Sequence, residues 1–134
     1  MLVWLRRSLL DAPLMVTSRM LGAFRDDPTT RREVLAMISN RAMGMALHLP
    51  GHTPDHLALL VKLASGPVLL TGDLYHSREA REKRGVPPFN TSREQSLQSM
   101  DVFEKLAKDT GAKVVIQHEP RDIPLLPAFP QAAK

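Results

Sequence analysis

The sequence predicts an α/β (α+β) domain, and three observations lead there. Apolar runs of strand length recur between residues 45 and 117, and turn residues such as Pro50-Gly51 and Ser65-Gly66-Pro67 separate them. One strongly periodic helical stretch, from Ser92 to Gly111, stands between the last two runs. The chain has 134 residues, 43% hydrophobic and 24% charged, which suits a single compact unit with a usable core.

The elements follow in order. Asp27-Pro28 fits a helix start, because Asp caps and Pro suits the first helical position. Val34, Leu35 and Ile38 then form a short apolar face ending near Asn40. Met45 to Leu49 reads as a short strand closed by Pro50-Gly51. Leu57 to Leu63 is nearly continuous in apolar residues, the pattern of a strand buried on both faces. Ser65-Gly66-Pro67 is a turn, and Val68-Leu69-Leu70 is the returning strand of a hairpin. Ser92-Arg93-Glu94-Gln95 is a capping box. Leu97, Met100, Phe103 and Leu106 follow on one helix face, and Gly111 can close the helix in the left-handed conformation. Lys113 to Gln117 is the last strand, and four prolines between residues 120 and 130 predict an irregular, extended tail along an edge of the fold. Arg78, Arg81, Lys83 and Arg84 alternate with Glu79 and Glu82, as on a solvated face.

Composition narrows the function classes. The chain has no cysteine, which excludes a disulfide scaffold, a Cys-based zinc finger and a thiol nucleophile. Any metal must therefore be held by imidazole and carboxylate. The formal charge of +4 is carried by scattered pairs such as Arg6-Arg7 and Arg31-Arg32, with only 4% aromatic residues, so no nucleic-acid partner is expected. No apolar run approaches the ~20 residues of a membrane span, and the opening Met1 to Leu5 precedes two arginines, the reverse of a secretory signal. No membrane association is expected, and the cytoplasm is the expected compartment.

Three polar residues stand just after strand-like runs: His52, Asp73 and His118. In layered α/β folds ligand sites collect where the carboxyl ends of strands meet. Two imidazoles and a carboxylate suit a zinc-type ion. A histidine after a strand is equally compatible with a hydrogen-bonded turn, and spacing alone leaves both readings open. His48 alternates with Leu47 and Leu49 and is read as pointing outwards from its strand.

Three segments carry a resemblance. Gly51-His52-Thr53-Pro54-Asp55-His56, Thr71-Gly72-Asp73-Leu74-Tyr75-His76 and Ile116-Gln117-His118 resemble the later metal motifs of the metallo-β-lactamase superfamily. Together with Val86-Pro87-Pro88-Phe89-Asn90 and Ser99-Met100-Asp101, they most resemble its N-acyl homoserine lactonase-like branch, over roughly residues 47–130. The resemblance implies an αββα sandwich of two sheets flanked by helices, with a two-zinc site along one sheet edge. It implies that His52 binds the first metal, Asp73 bridges both and His118 binds the second. It implies hydrolysis of a lactone or ester by a metal-held hydroxide at the ion that Asp73 bridges, with Tyr75 or His76 as a substrate contact. His56 is expected behind the ligands, in the second shell.

The chain also departs from that family. The His-x-His-x-Asp-His motif expected upstream of His52 is absent, and the only histidine there is His48. Asp55 replaces a glycine of the Gly-His-Thr-Pro-Gly-His pattern. The expectation is therefore the C-terminal half of such an enzyme: residues 1–46 a diverged, mostly helical or irregular segment, and residues 47–134 a partial domain. Four of seven usual metal ligands are missing on this reading, so zero or one weakly held zinc ion is expected. The alternative to a truncated lactone hydrolase is an inactive half-domain that associates with itself through an exposed sheet.

Overall fold

A computed structural model describes residues 14–16, 44–128, 131 and 133. The helix expected after Asp27-Pro28 lies outside the described residues. Five strands form one mixed sheet: β1 (Leu14–Val16), β2 (Gly44–His48), β3 (Leu57–Leu63), β4 (Gly66–Leu70) and β5 (Lys113–Val115), in that spatial order. β1 lies parallel to β2, with Leu14 opposite Met45. β2 and β3 run antiparallel with His48 opposite Leu57, and the β3–β4 hairpin closes at Leu63 opposite Gly66. β4 and β5 are parallel, and between them the chain makes helices α1 (Arg78–Lys83) and α2 (Arg93–Thr110). A parallel pair needs such a crossover.

The strand directions decide where a site can form. β2, β4 and β5 all run the same way, so the loops that follow them emerge on one edge of the sheet, beside the start of β3.

α2 covers one face of this sheet. The Ser92 hydroxyl accepts a hydrogen bond from the Gln95 amide at 3.2 Å, a cap worth about 1 kcal/mol. At the other end Gly111 takes φ 64°, and its amide bonds the Ala107 carbonyl. Met100, Phe103 and Leu106 are fully buried and join Met45, Leu47, Leu60, Leu69 and Ile116 in a single core. Full burial of each such side chain contributes about 1.5–3 kcal/mol.

β3 differs from the expected doubly buried strand. Ala58 and Leu60 are buried, Leu57 is 45% exposed, and Leu59, Val61 and Leu63 are half-buried. Successive side chains of a strand point to opposite faces, and the apolar run supplies both faces although α2 covers one. The tail also differs. The amides of Glu119, Asp122 and Leu125 each bond a carbonyl three residues back, so the segment curls into turns and a 3-10 helix at Ile123–Leu125. No helix among the described residues is long and apolar enough to cross a membrane.

Candidate metal centre

The loop after β2 is seated on the first turn of α2. The Ser92 amide bonds the Gly51 carbonyl at 3.0 Å, and the Ser99 hydroxyl donates to the Pro50 carbonyl at 2.7 Å. Gly51 has φ 139°, and a Cβ there would lie 2.4 Å from the Ser96 amide nitrogen. This close approach turns the chain so that His52 stands at the sheet edge. After β4, Gly72 takes φ 57° and opens the 3-10 turn Gly72–Leu74 that carries Asp73. The Gln117 side-chain oxygen accepts from the Gly72 amide at 2.7 Å, tying this turn to the loop that bears His118.

The three residues singled out after strands do converge. His118 Nε2 lies 2.5 Å from Asp73 Oδ1, and His52 Nε2 lies 3.4 Å from Asp73 Oδ2. His76 stacks on His118, with ring centroids 5.0 Å apart and planes 12° from parallel. His118 is exposed, whereas His52, Asp73 and His76 are half-buried, so the cluster opens to solvent.

The hydrogen-bond pattern fixes most of the protons. The Ser96 hydroxyl donates to the Ser92 carbonyl and accepts from Asn90 Nδ2, which turns Asn90 Oδ1 towards His52 Nδ1 at 3.0 Å. His52 Nδ1 is therefore the donor, which leaves Nε2 as the ring atom that faces the Asp73 carboxylate. A ring nitrogen and a carboxylate oxygen 3.4 Å apart stand at the separation of two ligands on one tetrahedral ion, so this donor set fits a metal ion. His56 Nδ1 donates to the Leu49 carbonyl at 2.8 Å, and its Nε2 accepts the Asp73 amide at 2.8 Å. His56 thus holds the backbone of Asp73 from behind, with both ring nitrogens used. Burial, above all, lowers its pKa and keeps it neutral.

The hydrogen bond from His118 holds the Asp73 carboxyl below the ordinary carboxylate range, against a smaller cost of burial. Burial and then the neighbouring His118 lower the pKa of His76. Both shifts favour a carboxylate and a neutral imidazole, the forms that bind metal.

Tyr75 is not brought to the cluster. Its ring is buried against Phe103, and its hydroxyl donates to Glu104 Oε1 at 3.0 Å, while burial and then Glu104 raise its pKa. Of the two residues expected to contact substrate, only His76 borders the site. His48 lies in the half-buried row of β2, with Nε2 2.9 Å from the Pro54 carbonyl oxygen.

Sequence reasoning missed the residues that support the loops. Asn90 orients His52, and Gln117 links the Asp73 turn to the His118 loop. Farther back, Glu119 and Asp122 are buried acids. Asp122 accepts from the Ile116 amide at 2.9 Å and from Arg78 Nε at 2.7 Å. Glu119 accepts from the Arg78 amide and from Arg121, which also grips Glu79. The signal was present in the run Glu119-Pro120-Arg121-Asp122, read only as part of a tail. This network pins the His118 loop to α1.

Arg121, with its side chain first and its amide second, holds the Glu119 carboxyl down at about 2. A carboxylate with a depressed folded value stabilises the fold above its unfolded value and loses that contribution as pH falls. The anchoring is therefore complete above the ordinary value of 4.5 and disappears as pH drops towards about 2. Melting curves recorded across that range should show an acid limb that shrinks in Arg121→Ala. An unchanged limb would mean that the network does not anchor the loop.

No protein-family model matches the chain. An N-acyl homoserine lactonase AttM of Azorhizobium caulinodans is 39% identical over 72 residues, which are 53% of this chain and 27% of that relative. The match thus spans well under half of the relative's length. A crystal structure of a quorum-quenching N-acyl homoserine lactone lactonase superposes with a TM-score of 0.61 at 21% identity, covering 90% of this chain and 55% of that one. An N-acyl homoserine lactone hydrolase with N-hexanoyl-L-homoserine at its catalytic metal centre superposes with a TM-score of 0.58 at 20% identity, covering 91% of this chain and 53% of that one. With its mixed sheet and flanking helix, this chain shares the fold of about half the length of these metallo-β-lactamase-type lactonases and, over its C-terminal half, resembles the N-acyl homoserine lactonases in sequence.

Proposed function

We propose that the chain is a zinc-dependent hydrolase of lactones or related esters, with N-acyl homoserine lactones as its substrate class and quorum quenching as the outcome. The observation that carries this reading is the meeting of His52, His118 and both oxygens of Asp73 on one sheet edge. A bound zinc ion supplies a hydroxide at neutral pH by lowering the pKa of its water from 15.7 to about 7. The residues do the rest. Asp73 provides the negative charge between the two histidines, and His56 fixes its backbone. Asn90 aims His52 Nε2 inwards, and Gln117 keeps the loops of Asp73 and His118 in register. Phe89, 69% exposed, stands edge-on to His52 and His76 at 5.9 Å and gives the non-reacting part of a substrate an apolar surface.

The test is ring opening of an N-acyl homoserine lactone by the purified, zinc-loaded chain, followed by the acid released. Asp73→Asn and His118→Ala are expected to lower the rate by at least about 100-fold. Losing a ligand exceeds the ~10–100-fold cost of losing an orienting neighbour. Hydrolysis that survives both substitutions would overturn the assignment.

One observation favours a second reading, an inactive half-domain that pairs with itself. Leu57, Leu59, Val61 and Leu63 line the sheet face opposite α2, half-buried or exposed. A chain that carries no zinc, opens no lactone and elutes as a dimer by light scattering would establish that reading instead.

A further inference from the structure

We propose that His76 is a metal ligand, so that Asp73, His76 and His118 form one three-ligand site on the Oδ1 side of the Asp73 carboxylate. This rests on the metal-dependent reading above and departs from the expectation that His76 touches substrate. Among the described residues, these three form the group whose ligand atoms all lie within 4.8 Å of one another, and His52 is outside it.

The three side chains must rearrange to share an ion, by movements on the scale of about 1 Å and one ring turn. A tetrahedral ion with ligands at about 2.0–2.2 Å separates the ligand atoms by about 3.4 Å. The His118–Asp73 pair, 2.5 Å apart, opens by about 1 Å to reach that separation, and His76, within 4.8 Å of both, closes by up to about 1.4 Å. His118 and His76 stack nearly parallel with centroids 5.0 Å apart, so a turn of the His76 ring about its Cβ–Cγ bond is what brings both nitrogen lone pairs onto one ion. The His118–Asp73 hydrogen bond of 2.5 Å lies where the ion would replace a proton. Nothing comparable restrains His76. None of the polar contacts described above uses its ring nitrogens, and its neighbours are the rings of His118, His52 and Phe89.

The donor set has chemical consequences. Two imidazoles and one carboxylate are three protein ligands, the number found in catalytic zinc sites that keep a fourth position open. The half-buried and exposed positions of these residues leave that fourth direction to solvent. His52 stays on the second carboxylate oxygen, held there by Asn90. The sequence therefore contains a complete open site of its own, although the upstream His-x-His-x-Asp-His motif is missing.

Titration of the full chain with Zn(II) and Co(II), with wild type, His76→Ala and His48→Ala in parallel, tests this. Wild type should bind one ion per chain, and bound Co(II) should show the visible bands of a four- or five-coordinate site. His76→Ala should weaken Zn(II) binding by more than about 100-fold and alter the Co(II) spectrum, beyond what loss of an orienting group causes. His48→Ala, which removes a histidine outside the cluster, should leave the spectrum in place. In wild type, the ¹⁵N signal of a His76 ring nitrogen should move on adding Zn(II), a readout that survives even if His76→Ala fails to fold. If wild type binds Zn(II) while His76→Ala binds within about tenfold of it with the same spectrum, or if the His76 nitrogens do not move, His76 is not a ligand and the metal reading stands. If wild type binds no ion, the metal reading itself falls.

Discussion

Gly51→Ala is expected to lower the melting temperature by about 10 °C or more. An added Cβ would stand 2.4 Å from both the amide nitrogen and the hydroxyl of Ser96 and 2.5 Å from its Cα. Two of these three atoms are backbone of α2, which cannot rotate aside. The φ of 139° is also one that residues with a side chain rarely adopt. Strain of this kind costs about 1–3 kcal/mol. Overpacking adds about 1–3 kcal/mol. At about 4 °C per kcal/mol for a chain of this length, the sum gives the predicted drop. The same shift would push His52 away from Asp73, so zinc affinity should fall with stability. A melting temperature within about 3 °C of the parent would show that the loop is not seated on α2 as described.

Phe103→Ala should destabilise the fold by about 3–5 kcal/mol, the range for truncating a buried aromatic. Phe103 is fully buried between α2 and the sheet and meets the Tyr75 ring edge-on at 5.7 Å. Its removal leaves a void in the core that also holds Leu69, Met100 and Leu106, all in regular elements that collapse poorly. Urea unfolding of the two proteins measures the difference. Below the transition, Zn(II) affinity should remain near the parent value, because Phe103 is absent from the contacts of His52, Asp73 and His118. A cost under about 1 kcal/mol would contradict the packing of α2.

Much of the described fold was legible because its signals are local. Ser92 and Gly111 bound α2 as their chemistry demands, and the spacing of Leu97, Met100, Phe103 and Leu106 marks the face it buries. Leu57–Leu63 was recognised as a strand to the residue. Its burial was misjudged, because an apolar residue reports hydrophobicity and not which layer covers it. The positions of His52, Asp73 and His118 after strands were also legible. Their meeting depends on β2, β4 and β5 sharing a direction, a pairing that no local pattern encodes. The choice between Tyr75 and His76 was undecided for a related reason. Adjacent residues of a turn point apart, and only the core contact of Tyr75 with Phe103 shows which one turns inwards. Asn90, Gln117 and Glu119 act through partners as much as 45 residues away, at separations where sequence spacing is silent.

The two halves of the Asp73 carboxylate answer to different parts of the chain: one oxygen to a histidine fastened onto the long helix, the other to a histidine fastened onto the short one by arginine. An ion settling there would act as a clasp across the crossover, holding shut the very segments whose closure created it. Such a centre needs both loops in place before it can form, and loosening of either would undo it. Occupancy would then report the integrity of the whole sheet edge, long before the buried interior gives way.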